Sequence, residues 1–156
     1  MGCHDSMIIK PGFCFRYSDV NVNIRSALGK NLDVCNCSFR NETKIILYEA
    51  HGGNNQTFTM MRNSDNSYSF IIGHLFAIDV KGGDASNGTQ IQIYDYNQTN
   101  SQKFFIKDEN DGYFSIHCAI DDNYVIDVDN GNDYDETKIQ LWKYHGGKNQ
   151  KFKFIY

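Results

Sequence analysis

The chain has 156 residues, 40% of them hydrophobic, and a net charge of −4 with no run of Lys or Arg. That length holds one domain with a proper core and is short for two. The charge excludes the electrostatic footprint of a nucleic-acid binder, and no stretch approaches the roughly 18 apolar residues of a membrane span.

From the N-terminus, Met1 to Lys10 lack the apolar core of a secretory signal. Met1-Gly2-Cys3-His4-Asp5-Ser6 fits the N-myristoylation pattern, and Cys3 is a neighbouring palmitoylation target. Two acyl chains on Gly2/Cys3 would anchor a protein to a membrane where one would not. The five cysteines, Cys3, Cys14, Cys35, Cys37 and Cys118, lack the spacing of a disulfide framework, which points to reduced thiols. Five Asn-x-Ser/Thr acceptors, at Asn36, Asn41, Asn55, Asn87 and Asn97, point the other way. The chain is rich in Asn, however, and two of the five fall in the candidate sites below, where a glycan would block binding. The expected location is therefore cytoplasmic, or outside the cell by a non-classical route, with membrane attachment through acylated Gly2/Cys3. Residues 1–20 read as an extension. Within it, Phe13-Cys14-Phe15-Arg16-Tyr17 reads as an extra strand, placed beside the C-terminal strand Phe152 to Tyr156 or in a homodimer contact.

Beyond the extension the chain repeats itself three times, in units of about 21–66, 67–112 and 113–156. Leu32-Asp33-Val34 recurs as Ile78-Asp79-Val80 and Ile126-Asp127-Val128. Ten residues after each Asp stands a threonine: Thr43, Thr89, Thr137. Next come Lys44-Ile45-Ile46-Leu47-Tyr48, Gln90-Ile91-Gln92-Ile93-Tyr94 and Lys138-Ile139-Gln140-Leu141-Trp142, three copies of one alternating strand. Each unit closes on Gln-x-Phe, at Gln56, Gln102 and Gln150, always 23 residues after the Asp. The length change between the second and third units lies between Asp108 and Asp122. Tyr113-Phe114-Ser115-Ile116-His117, inside that segment, also alternates and predicts a strand half-buried on one face.

Turn signals such as Gly52-Gly53, Asn87-Gly88, Asp111-Gly112 and Gly146-Gly147 separate the strands, and no window has a helical period. One unit predicts about four short strands, and three units about twelve. The whole is an all-β fold, a β-trefoil with pseudo-threefold symmetry, in which closure removes the sheet edges. A propeller of three blades falls short of the usual four to eight.

Each unit sets an Asp after a strand, an aromatic fifteen positions later and an amide before the final Gln. A carboxylate accepts hydroxyl hydrogens, an amide donates to a sugar oxygen, and a flat ring lies under the apolar face of a sugar while excluding water. These motifs, with His51-Gly52-Gly53-Asn54-Asn55-Gln56 and His145-Gly146-Gly147-Lys148-Asn149-Gln150, resemble the ricin-B-type (R-type) β-trefoil lectins and related haemagglutinins over about Asn21 to Tyr156. The resemblance implies a lectin for galactose or N-acetylgalactosamine-type glycans, multivalent through up to three sites, with no cofactor and no catalysis. It implies a complete third site at Asp127, Gln140, Trp142, His145 and Asn149. The first site is Asp33, Tyr48, His51 and Asn55, with Ile46 in place of the Gln. The second is Asp79, Gln92 and Tyr94, with Asn97 in place of the His and Ser101 in place of the Asn. The third is expected to be strongest and the second weakest.

Folding alone accounts for part of the pattern. Gln56, Gln102 and Gln150 are expected to turn inward and satisfy backbone groups, and Phe58, Phe104 and Phe152 to be core. The three Asp could cap loops instead of touching ligand. No His/Cys set has zinc spacing, Asp127 to Glu136 lacks EF-hand spacing, and no catalytic motif is present. Two other functions compete with the lectin reading: a trefoil protease inhibitor acting through one protruding loop, and an intracellular actin-binding or scaffold protein.

Overall fold

The computed structural model describes residues 19–156. The acylation motif at Gly2/Cys3 and the strand expected at Phe13 to Tyr17 lie outside those residues. The first unit forms β1 (Val20–Ser26), β2 (Asn31–Val34), β3 (Ile45–Tyr48) and β4 (Phe58–Arg62). The second forms β5 (Tyr68–Ile72), β6 (Phe76–Val80), β7 (Ile91–Asp95) and β8 (Phe104–Asp108). The third forms β9 (Phe114–Cys118), β10 (Tyr124–Val128), β11 (Ile139–Lys143) and β12 (Phe152–Ile155).

Six strands close a barrel by antiparallel pairing in the cycle β1, β4, β5, β8, β9, β12 and back to β1. The hairpins β2–β3, β6–β7 and β10–β11 attach to β1, β5 and β9 and cap one end. This is the twelve-stranded β-trefoil that the repeat predicts. The repeated apolar positions fill it in threes: Leu32, Ile78 and Ile126; Ile45, Ile91 and Ile139; Phe58, Phe104 and Phe152, all at 0% exposure.

The hairpins hold one another in a ring. The Glu42 amide donates to the Ile93 carbonyl, and the Ile93 amide donates to the Thr43 carbonyl, both at 2.9 Å. The same exchange joins Gly88 and Thr89 to Leu141, and Glu136 and Thr137 to Leu47. The repeated threonines therefore mark where one unit's turn pairs with the next unit's strand. At the threefold axis, Gln90 Nε2 donates to the Ile91 and Ile139 carbonyls at 2.7 and 3.1 Å, with the Ile45 carbonyl at 3.4 Å. One asymmetric amide thus meets three equivalent carbonyls, one from each unit.

The strand containing Ser115 and His117 departs from its expected half-burial, because all of β9 is buried. Its polar side faces a hydrogen-bonded cluster instead of solvent. Ser115 Oγ lies 2.6 Å from Glu109 Oε2 and 2.8 Å from His117 Nε2, and His117 Nδ1 lies 2.7 Å from the Asp122 carbonyl oxygen. The Tyr144 hydroxyl also donates to Glu109, at 2.8 Å. Glu109 and Asp122 come from the stretch that carries the extra length, so alternation there separates two kinds of buried side chain.

Replacing Phe104, fully buried and 6.2 Å centroid to centroid from Phe70, tests this core. Phe104→Ala is predicted to lower the unfolding free energy by about 3–5 kcal/mol in urea denaturation. Phe105→Ala, on the outward face of the same strand, is predicted to lower it by about 1 kcal/mol or less.

Candidate carbohydrate-binding sites

Each candidate site is built on one buried glutamine. Gln150 Nε2 donates to Asp127 Oδ2 at 2.8 Å and to the Lys143 carbonyl at 3.0 Å, and its Oε1 accepts from the His145 and Gly146 amides at 2.9 and 3.2 Å. Gln56 makes the same set with Asp33, the Glu49 carbonyl and the His51 and Gly52 amides. Gln102 repeats it with Asp79, the Asp95 carbonyl and the Asn97 amide. The glutamines turn inward as expected, and they also orient the repeated Asp. The Asp side chains therefore do not cap loops: their partners are side-chain amides.

In the third unit the cavity of about 220 Å³ is lined by Asp127, Asn130, Gln140, Trp142, His145 and Asn149. All five residues expected at this site line it. Gln140, opposite Asp127 in the β10–β11 register, donates to Asp127 Oδ1 at 3.1 Å, and Asn149 Nδ2 donates to Oδ2 at 3.3 Å and to the Val128 carbonyl at 3.0 Å. The Gly147 amide donates to His145 Nδ1 at 3.0 Å. That bond makes Nδ1 the acceptor and leaves the hydrogen of a neutral ring on Nε2, 3.9 Å from Asp127 Oδ2. Trp142 is 37% exposed, an open ring beside a polar floor.

The first unit's cavity, about 230 Å³, brings together Asp33, Tyr48, His51 and Asn55 as expected. Asn55 Nδ2 donates to Asp33 Oδ1 at 3.1 Å, and His51 again accepts from its own loop, at Gly53. Ile46, buried on the floor, offers no amide here. The second unit's cavity is larger, about 490 Å³, and is lined by Asp79, Gln92 and Tyr94 together with Asn97, Thr99, Ser101, Lys81 and Glu42. Gln92 Nε2 donates to Asp79 Oδ1 at 3.1 Å.

Burial raises the carboxyls of Asp33, Asp79 and Asp127 above the ordinary carboxylate value, and the donating glutamines oppose that rise without cancelling it. Each carboxyl is held in place by neutral side-chain amides.

Two residues that reasoning within single units did not reach also line these cavities. Glu136 of the third unit stands on the first site and Glu42 of the first unit on the second. Both have positive φ, 72° at Glu42 and 73° at Glu136, where the third copy has Gly88 at 91°. The shared signal was the residue before each repeated threonine. Only the ring of inter-unit pairing shows that it faces the neighbouring unit's site.

A family model, ricin-type β-trefoil lectin domain-like, matches residues 17–94 and 54–142. No curated protein matches the chain significantly. Among solved structures, the designed threefold-symmetric protein ThreeFoil is 27% identical, with a TM-score of 0.83, over 87% of this chain and 98% of its own. The ricin B-like lectin of Macrolepiota procera, solved with lactose, is 21% identical, with a TM-score of 0.72, over 91% of this chain and 99% of its own. The C-half of an earthworm R-type lectin, solved with GalNAc, is 24% identical, with a TM-score of 0.65, over 86% and 97%. By its repeat, its fold and the family model that spans most of its length, the chain belongs to the ricin-type β-trefoil lectin domain-like family.

Proposed function

We propose that the protein is a carbohydrate-binding module without a catalytic step, taking galactose or N-acetylgalactosamine-type glycans at up to three sites, with the third strongest. One observation carries this reading. Asp127, Gln140, Trp142, His145 and Asn149 line one open cavity that combines an oriented carboxylate, amide donors and an exposed indole. Sugar recognition needs those groups already in place, because ordering them on binding would consume affinity. The two neighbours solved with lactose and with GalNAc are in keeping with this ligand class. Sites this shallow bind weakly one at a time and gain apparent affinity on a surface that presents many glycans. The similarity of the three binding loops argues against an inhibitor with one specialised loop.

Calorimetric titration with galactose, N-acetylgalactosamine and lactose tests the proposal. Asp127→Ala is predicted to weaken binding at the third site by about tenfold or more, the consequence of losing hydrogen bonds to a charged acceptor. Binding by Asp127→Ala equal to the parent, or no binding by the parent, would defeat the reading.

The pH dependence has a definite sign. The site uses the ionised carboxylate, and burial raises Asp127 above its ordinary value. Lactose affinity is therefore predicted to fall on acidification, with a midpoint above the usual Asp range. Stability runs the opposite way. A carboxyl raised in the fold gives its full contribution below its unfolded value and loses it as the pH rises through the raised value. Relative to the parent, Asp127→Asn is thus predicted to gain stability as the pH rises from the ordinary Asp value through the raised one, while losing lactose binding. Urea denaturation across that range checks the sign, and an unchanged difference would contradict it.

A further inference from the structure

Resting on the carbohydrate reading above, we propose that the second unit's cavity prefers an N-acylated sugar over the unsubstituted one, a selectivity that the other two sites lack. Its volume, about 490 Å³, is more than twice the 220 and 230 Å³ of the others. Three replacements account for the space. Asn97 Oδ1 accepts from the Thr99 amide at 3.1 Å and so holds the turn as the histidine Nδ1 does elsewhere, but Asn97 has no atom that reaches as far as a histidine Nε2. Ser101 has no amide to place on Asp79 or on the Val80 carbonyl, the roles that Asn149 fills against Asp127 and Val128. Gly82 and Gly83 stand where the first unit has Asn36 and Cys37.

The second observation is an acceptor without a donor. Among the described residues, Gln92 Oε1 is the buried side-chain polar atom without a hydrogen-bond partner, and Gln92 is 3% exposed. Its Nε2 is committed to Asp79 Oδ1, so the amide is not free to turn over and present a nitrogen. A buried acceptor left unpaired is unfavourable, and among the described residues the other two floors carry none, so this floor is the least satisfied of the three. Asp79 itself receives two amide donors where Asp127 receives three, which leaves more of its acceptor capacity open.

An acetamido substituent matches this arrangement. Its N–H donates into the acceptor capacity that Asp79 has left open, its carbonyl meets the Ser101 hydroxyl, and its methyl fills the open space above Gly82. An anionic substituent fits less well, since Asp79 and Glu42 outnumber Lys81 at this cavity. In the third site, Asn149 and His145 occupy the corresponding space.

Site-resolved NMR titration of the ¹⁵N-labelled protein with methyl galactoside and with methyl N-acetylgalactosaminide tests the proposal. The Gln92 side-chain amide and the Thr99 backbone amide report the second site, and the Trp142 indole N–H reports the third. The expected result is about tenfold tighter binding of the N-acetylated sugar at the second site, with the two sugars within about twofold at the third. Ser101→Asn, which restores the residue of the other units, is expected to bring the second site's ratio close to that of the third. Equal affinities at the second site, or perturbations confined to the first and third, would overturn this proposal and leave the carbohydrate reading standing. Silence at every site with both sugars would overturn the carbohydrate reading, and this proposal with it.

Discussion

The structure depends on a buried carboxamide that is bonded on every side. In each unit the glutamine of the Gln-x-Phe motif lies at 0% exposure between a loop, whose amide it receives, and an Asp, to which it donates. Because an amide is planar and its donors and acceptor point in opposite directions, satisfying the loop determines where the carboxylate sits. Folding and site assembly are therefore one event. The Phe two residues on enters the core, the Gln locks the loop, and the Asp is left facing the cavity with its orientation set. A buried anion held by neutral donors is costly to the fold, as the raised carboxyls of Asp33, Asp79 and Asp127 indicate. Its retention in all three units is easier to understand if the carboxylate serves a ligand.

The threefold frame allows the lips of the cavities to diverge while the floor stays constant. Floor residues bond to the loop and the core, so a change there disturbs the fold. Lip residues such as Ser101, Lys81, Glu42 and Glu136 line the cavities without such side-chain bonds and can change with the fold intact. Turn exchange around the axis adds a second layer. Two units lend a carboxylate to a neighbour's site, Glu136 to the first and Glu42 to the second, while the equivalent position in the remaining turn is Gly88. A glycine suffices for the backbone there, and a side chain at positive φ is strained by about 1 kcal/mol, so the turn by itself does not call for Glu42 and Glu136.

Most of the frame was legible in the chain because the repeat exposes it. Three copies at constant spacing distinguish core from lip without any structure: Ile45, Ile91 and Ile139 keep their character, while Asn55, Ser101 and Asn149 do not. The inward turn of Gln56, Gln102 and Gln150 followed from the rule that buried polar groups find partners. What was hidden depends on contacts between units. Glu42 and Glu136 lie far in sequence from the Asp they face, and Gln90 looks like an ordinary strand residue until three carbonyls converge on it. The burial of Ser115 and His117 was hidden for a related reason. Alternation reports polarity, and in β9 the polar side meets Glu109 and Asp122 instead of water. Cavity volume was also out of reach, since the second unit, with the fewest matching residues, has the largest opening.

The hydrogen bonds that build the fold also present the proposed sugar site, most completely at Trp142. As the sole tryptophan, Trp142 reports that site alone. Its emission during titration with lactose is the most direct test. A saturable change is expected at concentrations up to about 10 mM, the range of a shallow single site. An emission spectrum that lactose leaves unchanged throughout that range would contradict the proposed site.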